Sequence, residues 1–213
     1  MRQLLQISIF ALVCTFFTAC TGESNMVLIK TNKGDITVEL FDETPRHKEN
    51  FQKMVKEKYY DGLLFHRVMP GFMIQGGDPN SKGAAAGASL GMGGPGYTIE
   101  HEIGQPHLRG ALAAARTPNP QKASSGSQFY IVTGAPQGVS TLDQYEKMKG
   151  IKYSEAQREA YMKDGGRPDL DMDYTVFGQV VSGMEVVDAI SAGATGSANR
   201  PVEDVIIEGV SFK

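Results

Sequence analysis

Residues 65–78 read Phe-His-Arg-Val-Met-Pro-Gly-Phe-Met-Ile-Gln-Gly-Gly-Asp. Two short apolar runs, Leu63 to Met69 and Phe72 to Gln75, flank Pro70-Gly71, the pattern of two strands joined by a turn. Arg67 sits inside that stretch among Phe65, Val68, Met69, Phe72, Met73 and Ile74. A fixed charge beside buried apolar surface is costly, so it calls for a partner or a use. Guanidinium groups stay protonated in proteins and offer five donors in a rigid fork. Such a group suits holding a neutral carbonyl or amide against an apolar floor. It suits acid–base chemistry poorly.

Outward from this core, the chain reads as short strands. Met26-Val-Leu-Ile-Lys-Thr and Asp35-Ile-Thr-Val-Glu-Leu flank Asn32-Lys33-Gly34, a hairpin in which Gly34 takes a positive φ. Thr44-Pro45 caps and opens an amphipathic helix over 45–57, with Phe51, Met54 and Val55 on its inner face. A Gly-, Ala- and Ser-rich surface loop fills 76–96. Further strands are predicted at 97–100, 110–115, 127–133, 174–181 and from Val205 onward, with a second helix near 183–191. Strands without alternating crossover helices predict a mostly β fold: a closed eight-stranded antiparallel barrel capped by two α-helices. Residues 137–169 read as an inserted pair of short helices, 141–149 and 155–163, started by Ser140 and by the Ser154-x-x-Gln157 capping signal. Leu142, Tyr145 and Met148 are expected to face inward from the first.

Composition narrows the function. The 213 residues carry a net charge of −3, which gives no footing for nucleic acid. The first twenty residues form a basic-then-apolar leader ending Phe17-Thr18-Ala19-Cys20, with no acid before Glu23. The pattern resembles a bacterial lipoprotein signal with Phe17 where Leu is usual, in which Cys20 becomes the lipidated N-terminus; ordinary cleavage without a lipid is the alternative. The expected layout is a signal peptide over 1–19, a lipidated Cys20 with a tether to 25, and one domain over 26–213. The expected location is the cell envelope, exported and lipid-anchored at the periplasmic face or the outer membrane.

Two further segments complete a signature. Ser124-Ser-Gly-Ser-Gln-Phe-Tyr-Ile-Val-Thr133 and Tyr174-Thr-Val-Phe-Gly-Gln-Val180, taken with 65–78, resemble the cyclophilin-type peptidyl-prolyl cis/trans isomerases over about residues 26 to 213, the insertion excepted. The resemblance implies a rotamase acting on X-Pro bonds and assisting protein folding without a cofactor. It implies that Arg67 is catalytic and that Gln75 orients it. Phe72 and Met73 match the floor of the proline pocket, and Ala115 and Arg116 match the strand that pairs with substrate backbone. Gln128 and Phe129 match the Ser-Gln-Phe motif and are expected to bind substrate, Phe129 as part of the pocket. Tyr130 stands where a pocket phenylalanine is usual, Leu170 matches the pocket leucine, and Tyr174 replaces a histidine. The tryptophan that many eukaryotic members carry before that leucine is Asp169 here, which implies weak cyclosporin sensitivity.

Competing assignments are weaker. His66, beside Arg67, is expected to be a hydrogen-bonded core histidine rather than an acid or base. His47, His101 and His107 with Glu100 and Glu102 fit no metal-ligand spacing, so no metal is expected. Gly126-Ser127-Gln128 lacks the Gly-x-Ser-x-Gly pattern of a nucleophile elbow. The expected partners are proline-containing peptides and unfolded or secreted proteins, met by a monomer that reaches the membrane through its lipid. A non-catalytic proline-peptide-binding chaperone module is the rival, and Arg67 separates the two: binding alone needs no such cation.

Overall fold

An antiparallel sheet of eight strands organises the protein, whose residues 24–213 are described by a computed structural model. In chain order the elements are β1 (Met26–Thr31), β2 (Gly34–Leu40), α1 (Pro45–Lys56), β3 (Arg67–Met69), β4 (Met73–Gly76), β5 (Thr98–Ile99), β6 (Ala111–Ala114), β7 (Ser124–Ser125) and β8 (Phe129–Val132). Then follow α2 (Val139–Lys149), α3 (Glu155–Lys163), β9 (Val176–Ser182), α4 (Met184–Ser191) and β10 (Ile207–Phe212). The sheet order is β10-β1-β2-β9-β6-β8-β4-β3, while β5 and β7 pair separately. The leader and Cys20 lie outside the described residues. Among the described residues no helix is long and apolar enough to cross a membrane.

Local chemistry accounts for the first half. The β1–β2 hairpin closes at Thr31↔Gly34, and Gly34 adopts φ 130°, as the turn signal requires. Val27 and Ile29 of β1 and Ile36, Val38 and Leu40 of β2 point into the core. Helix α1 buries Phe51, Met54 and Val55 there. Thr44 occupies the N-cap position without making a side-chain cap; its hydroxyl donates to the Phe41 carbonyl at 3.4 Å. Helix α4 adds Val187 and Ile190.

The expected closed barrel is corrected to an open half-barrel, with β10 and β3 as its end strands. Residues 57–66 between α1 and β3 are mostly turns, so no continuous ladder forms along the seam. It is spanned instead by an isolated bridge, Leu64↔Ile206, and by bonds such as Phe65 N–H to Val205 C=O at 2.9 Å.

The insertion forms two helices with a small core of its own, Leu142, Tyr153 and Tyr161. Ser154 and Gln157 make the reciprocal capping box. Ser140 does not start α2; Gly138 is its N-cap and makes no side-chain bond. Met148 is 63% exposed and Glu146 faces inward in its place, because Glu146 is claimed by Lys152, Arg158 and the Tyr153 N–H. The insertion is pinched at its base by glycines. A Cβ on Gly134 would lie 2.2 Å from the Gly166 carbonyl oxygen, so only glycine permits that approach.

Candidate active site

Two registers build the site. Arg67 on β3 lies opposite Gln75 on β4, Gln75 opposite Tyr130 on β8, Tyr130 opposite Ala113 on β6, and Ala113 opposite Val176 on β9. Cross-strand partners share a face, so these residues form one row across the sheet's outer side. Met73, Ala111, Ala113, Tyr130, Val132 and Val176 are buried there under Phe72, Ala115, Leu170 and Tyr174. The next row, through Ile74, Ile131 and Leu112, points the other way, into the half-barrel.

On the outer face lies a cavity of about 140 Å³, lined by Arg67, Phe72, Met73, Gln75, Ala115, Arg116, Tyr130, Leu170 and Tyr174. Nine of the sequence-predicted residues therefore meet at one place. The floor is apolar and the polar groups stand at its margin. Arg67 Nη1 donates to Gln75 Oε1 at 3.1 Å, and Gln75 Nε2 donates to Gln128 Oε1 at 3.0 Å. Gln128 Nε2 donates in turn to the Gly91 and Gly93 carbonyls at 3.0 and 2.7 Å. This relay runs from the glycine-rich loop to the guanidinium and fixes its direction. The loop is itself pinned: buried Asp78 accepts from the Asn80 N–H at 2.8 Å and from the Gly91 N–H.

Gln128 thus acts behind the pocket and does not line it. Phe129 does not line it either: it packs edge-on against Phe51, Tyr60 and Phe65 in the half-barrel. Successive strand residues point to opposite faces, so Tyr130 at the pocket requires Phe129 in the core. Ala115 touches the cavity, but its N–H donates to Gln128 C=O and its C=O accepts from the Ser125 N–H. Arg116 folds back, with its guanidinium 4.7 Å from the Tyr174 ring centre and Nε donating to the Asp173 carbonyl.

Three further placements were not read from the sequence. Arg167 lies 4.1 Å over the Phe72 ring, held by a two-point pairing with Asp169 at 2.8 and 2.7 Å. The position without tryptophan is thus covered by an ion pair stacked on the pocket's outer wall. The Asp169 pairing keeps the Arg167 pKa above its usual value. His66 is buried but, against expectation, neither ring nitrogen has a hydrogen-bond partner among the described residues. Burial lowers its pKa, with Asp78 opposing, because a charged ring would be stranded there. Two of the three histidines weighed as metal ligands have other partners: His47 pairs with Glu102 at 2.6 Å and Ser124 at 3.0 Å, and His107 with Asp171 at 2.8 Å.

A family model described as "Cyclophilin type peptidyl-prolyl cis-trans isomerase/CLD" matches residues 26–212. The chain belongs to this family. This cyclophilin is 39% identical over 189 residues to a Staphylococcus haemolyticus protein provisionally named peptidyl-prolyl cis-trans isomerase, covering 88% of this chain and 90% of the relative. It is 42% identical over 195 residues to a Streptococcus pyogenes protein provisionally named bifunctional phosphatase/peptidyl-prolyl cis-trans isomerase. That match takes in 86% of this chain and only 38% of the longer relative. Among solved structures, a cyclophilin type peptidyl-prolyl cis-trans isomerase of Cryptosporidium parvum, crystallised in the presence of the dipeptide Ala-Pro, matches with TM-score 0.62. It is 26% identical, and the match covers 88% of this chain and 98% of that one. The protein is accordingly a peptidyl-prolyl cis-trans isomerase.

Proposed function

We propose that this cyclophilin turns X-Pro bonds in its 140 Å³ cavity, with Arg67 as the catalytic group and Gln75 holding it in place. The uncatalysed barrier is about 18–20 kcal/mol because resonance keeps the peptide planar. No bond to carbon breaks and no proton leaves, so a nucleophile is unnecessary. In the twisted state the imide nitrogen regains its lone pair and accepts a hydrogen bond poorly accepted by the planar form. A guanidinium aimed at that nitrogen therefore binds the transition state better than the substrate. A charge-assisted bond is worth about 1.5–3 kcal/mol, or roughly 10–100-fold in rate. The apolar floor of Phe72, Met73 and Leu170 supplies more by stripping water from the polar planar amide. Two open clefts, about 520 and 730 Å³, flank Gln75 and give the peptide a path on either side of the proline. Because both Ala115 backbone groups are engaged, backbone pairing with substrate falls to Arg116.

The observation that carries this reading is the Arg67–Gln75–Gln128 relay beside an apolar cavity. A protease-coupled isomerisation assay tests it: Arg67→Ala is expected to lose at least about tenfold in kcat/KM. Equal rates in both proteins would reject the role, and bound peptide without turnover would favour a chaperone module.

We further propose that it works in the cell envelope, on X-Pro segments of proteins in transit, with Cys20 lipidated and the domain acting as a monomer. What supports this is the basic-apolar-small pattern before Cys20 and the polar stretch after it. Cells expressing wild type should incorporate labelled fatty acid into the protein, and Cys20→Ala should abolish incorporation. Equal labelling of the variant would place the lipid elsewhere.

A further inference from the structure

One buried carboxylate ties the helical insertion to the sheet. Asp171, 3% exposed, accepts from the His107 backbone N–H at 2.7 Å and the Tyr161 hydroxyl at 2.6 Å. It also accepts from the Tyr153 hydroxyl at 2.5 Å, and His107 Nδ1 lies 2.8 Å away. Both tyrosines belong to the insertion: Tyr161 is in α3 and Tyr153 precedes it. With Nδ1 facing the Asp171 carboxylate, Nε2 is the ring nitrogen left for a second partner. The Tyr130 hydroxyl stands 3.1 Å from that nitrogen. The two rings lie nearly parallel, 12° apart, and Tyr174 meets Tyr130 edge-on at 6.0 Å. A continuous hydrogen-bonded path thus leads from the insertion to a wall of the proline cavity.

Such a path is not needed merely to attach two helices. A carboxylate, an imidazole and three phenols are expensive to bury, and apolar side chains of similar volume would hold the helices with less desolvation. What apolar contacts lack is direction. Tyr130 stands at the pocket with a hydroxyl whose burial raises its pKa far above the usual phenol range, so the group remains a donor. Lys149 of α2 adds a second grip. Its ammonium donates to the Asp169 and Asp171 carbonyls at 2.7 and 2.6 Å and to the Asp173 carboxylate at 2.9 Å. Those bonds clamp the segment that carries the pocket residues Leu170 and Tyr174.

From this geometry we infer that the insertion is a positioning element of the proline pocket, acting through Asp171 and His107 to hold the Tyr130 ring in its substrate-ready orientation. His107 and Asp171 are positioning residues; the pocket's contact with substrate is made by Tyr130. The inference rests on the cavity being the proline site.

A double-mutant cycle on the full chain tests it, with KM and kcat measured on an Ala-Pro tetrapeptide. His107→Asn retains a side-chain donor toward Asp171 and removes the ring nitrogen that meets the Tyr130 hydroxyl. The expected result is a rise in KM of about fivefold with kcat little changed, the worth of one hydrogen bond. In the Tyr130→Phe background the same substitution should change KM less than about twofold, because the link is already cut. Mere destabilisation would lower the active fraction, and hence apparent kcat, without moving KM. Tyr161→Phe, which removes one donor to Asp171 and no volume of consequence, supplies the same comparison if His107→Asn fails to fold. Equal KM changes in both backgrounds, or none in either, would overturn the inference while leaving the isomerase site intact. A wild type without turnover on any proline peptide would instead overturn the site assignment, and the inference with it.

Discussion

Phe129 and Tyr130 are neighbours in β8, yet they serve opposite sides of one sheet. Phe129 packs edge-on among three aromatic rings in the half-barrel, with no polar atom to place. Tyr130 lies in a row with Arg67 and Gln75, and its hydroxyl is held from behind. The inner row is held by packing alone. The outer row adds hydrogen bonds that aim polar groups at a small apolar hollow. Stability and turnover are therefore carried by alternate residues of the same strands, and a substitution should strike one or the other according to its parity.

The largest expected effect is on the inner side. Phe129→Ala should cost about 3–5 kcal/mol of unfolding free energy in a urea titration, because the surrounding rings cannot collapse into the space. The same titration on Arg67→Ala should show little change, despite its loss of turnover. A large stability loss in both would break the separation of the two faces. A smaller effect is expected from Gln75→Leu, which removes the acceptor that steers Arg67. A hydrogen bond from a charged donor is worth about 1.5–3 kcal/mol, and at the lower end of that range kcat/KM should fall by about tenfold with the melting temperature nearly unmoved. An unchanged kcat/KM would mean that Arg67 needs no steering.

The smallest effect concerns the insertion, whose polar core resembles neither face. Lys152 chiefly, with the Tyr153 N–H and Arg158, lowers the Glu146 pKa from 4.5 to about 2, against its partial desolvation. A carboxyl whose pKa is lower folded than unfolded stabilises the fold above the unfolded value and loses that contribution as pH falls through the folded one. Wild-type stability should therefore decline between about pH 4.5 and 2 by more than that of Glu146→Gln. Parallel pH profiles for the two proteins would remove Glu146 from the insertion's supports.

Local patterns made much of this legible. Asn32-Lys33-Gly34, the spacing of Phe51, Met54 and Val55, and Ser154-x-x-Gln157 each produced the element they signal, because turn, stripe and cap are decided within a few residues. The pocket was legible through its motifs, since Arg67 and Gln75 are near in sequence and opposite in register. What escaped depends on distant partners. The Ser-Gln-Phe motif alone points Phe129 at the pocket, whereas the alternation of β8 turns it into the core. Met148 fits the helical stripe of α2, but the inward place is taken by Glu146, which pairs with Lys152 and Arg158. The His107–Asp171 link spans 64 positions, and no local signal marks either residue. The open seam likewise depends on residues 57–66 and 205–207, which meet only in the folded chain.

The most direct measurement is a crystal structure of the protein soaked with an Ala-Pro-containing peptide. The proline ring should rest against Phe72, Met73 and Leu170, with the Arg67 guanidinium at hydrogen-bonding distance, about 2.7–3.2 Å, from the imide nitrogen or its carbonyl oxygen. A bound peptide whose proline lies outside the cavity, with Arg67 turned toward bulk water, would contradict the assignment of that side chain to the rotating bond.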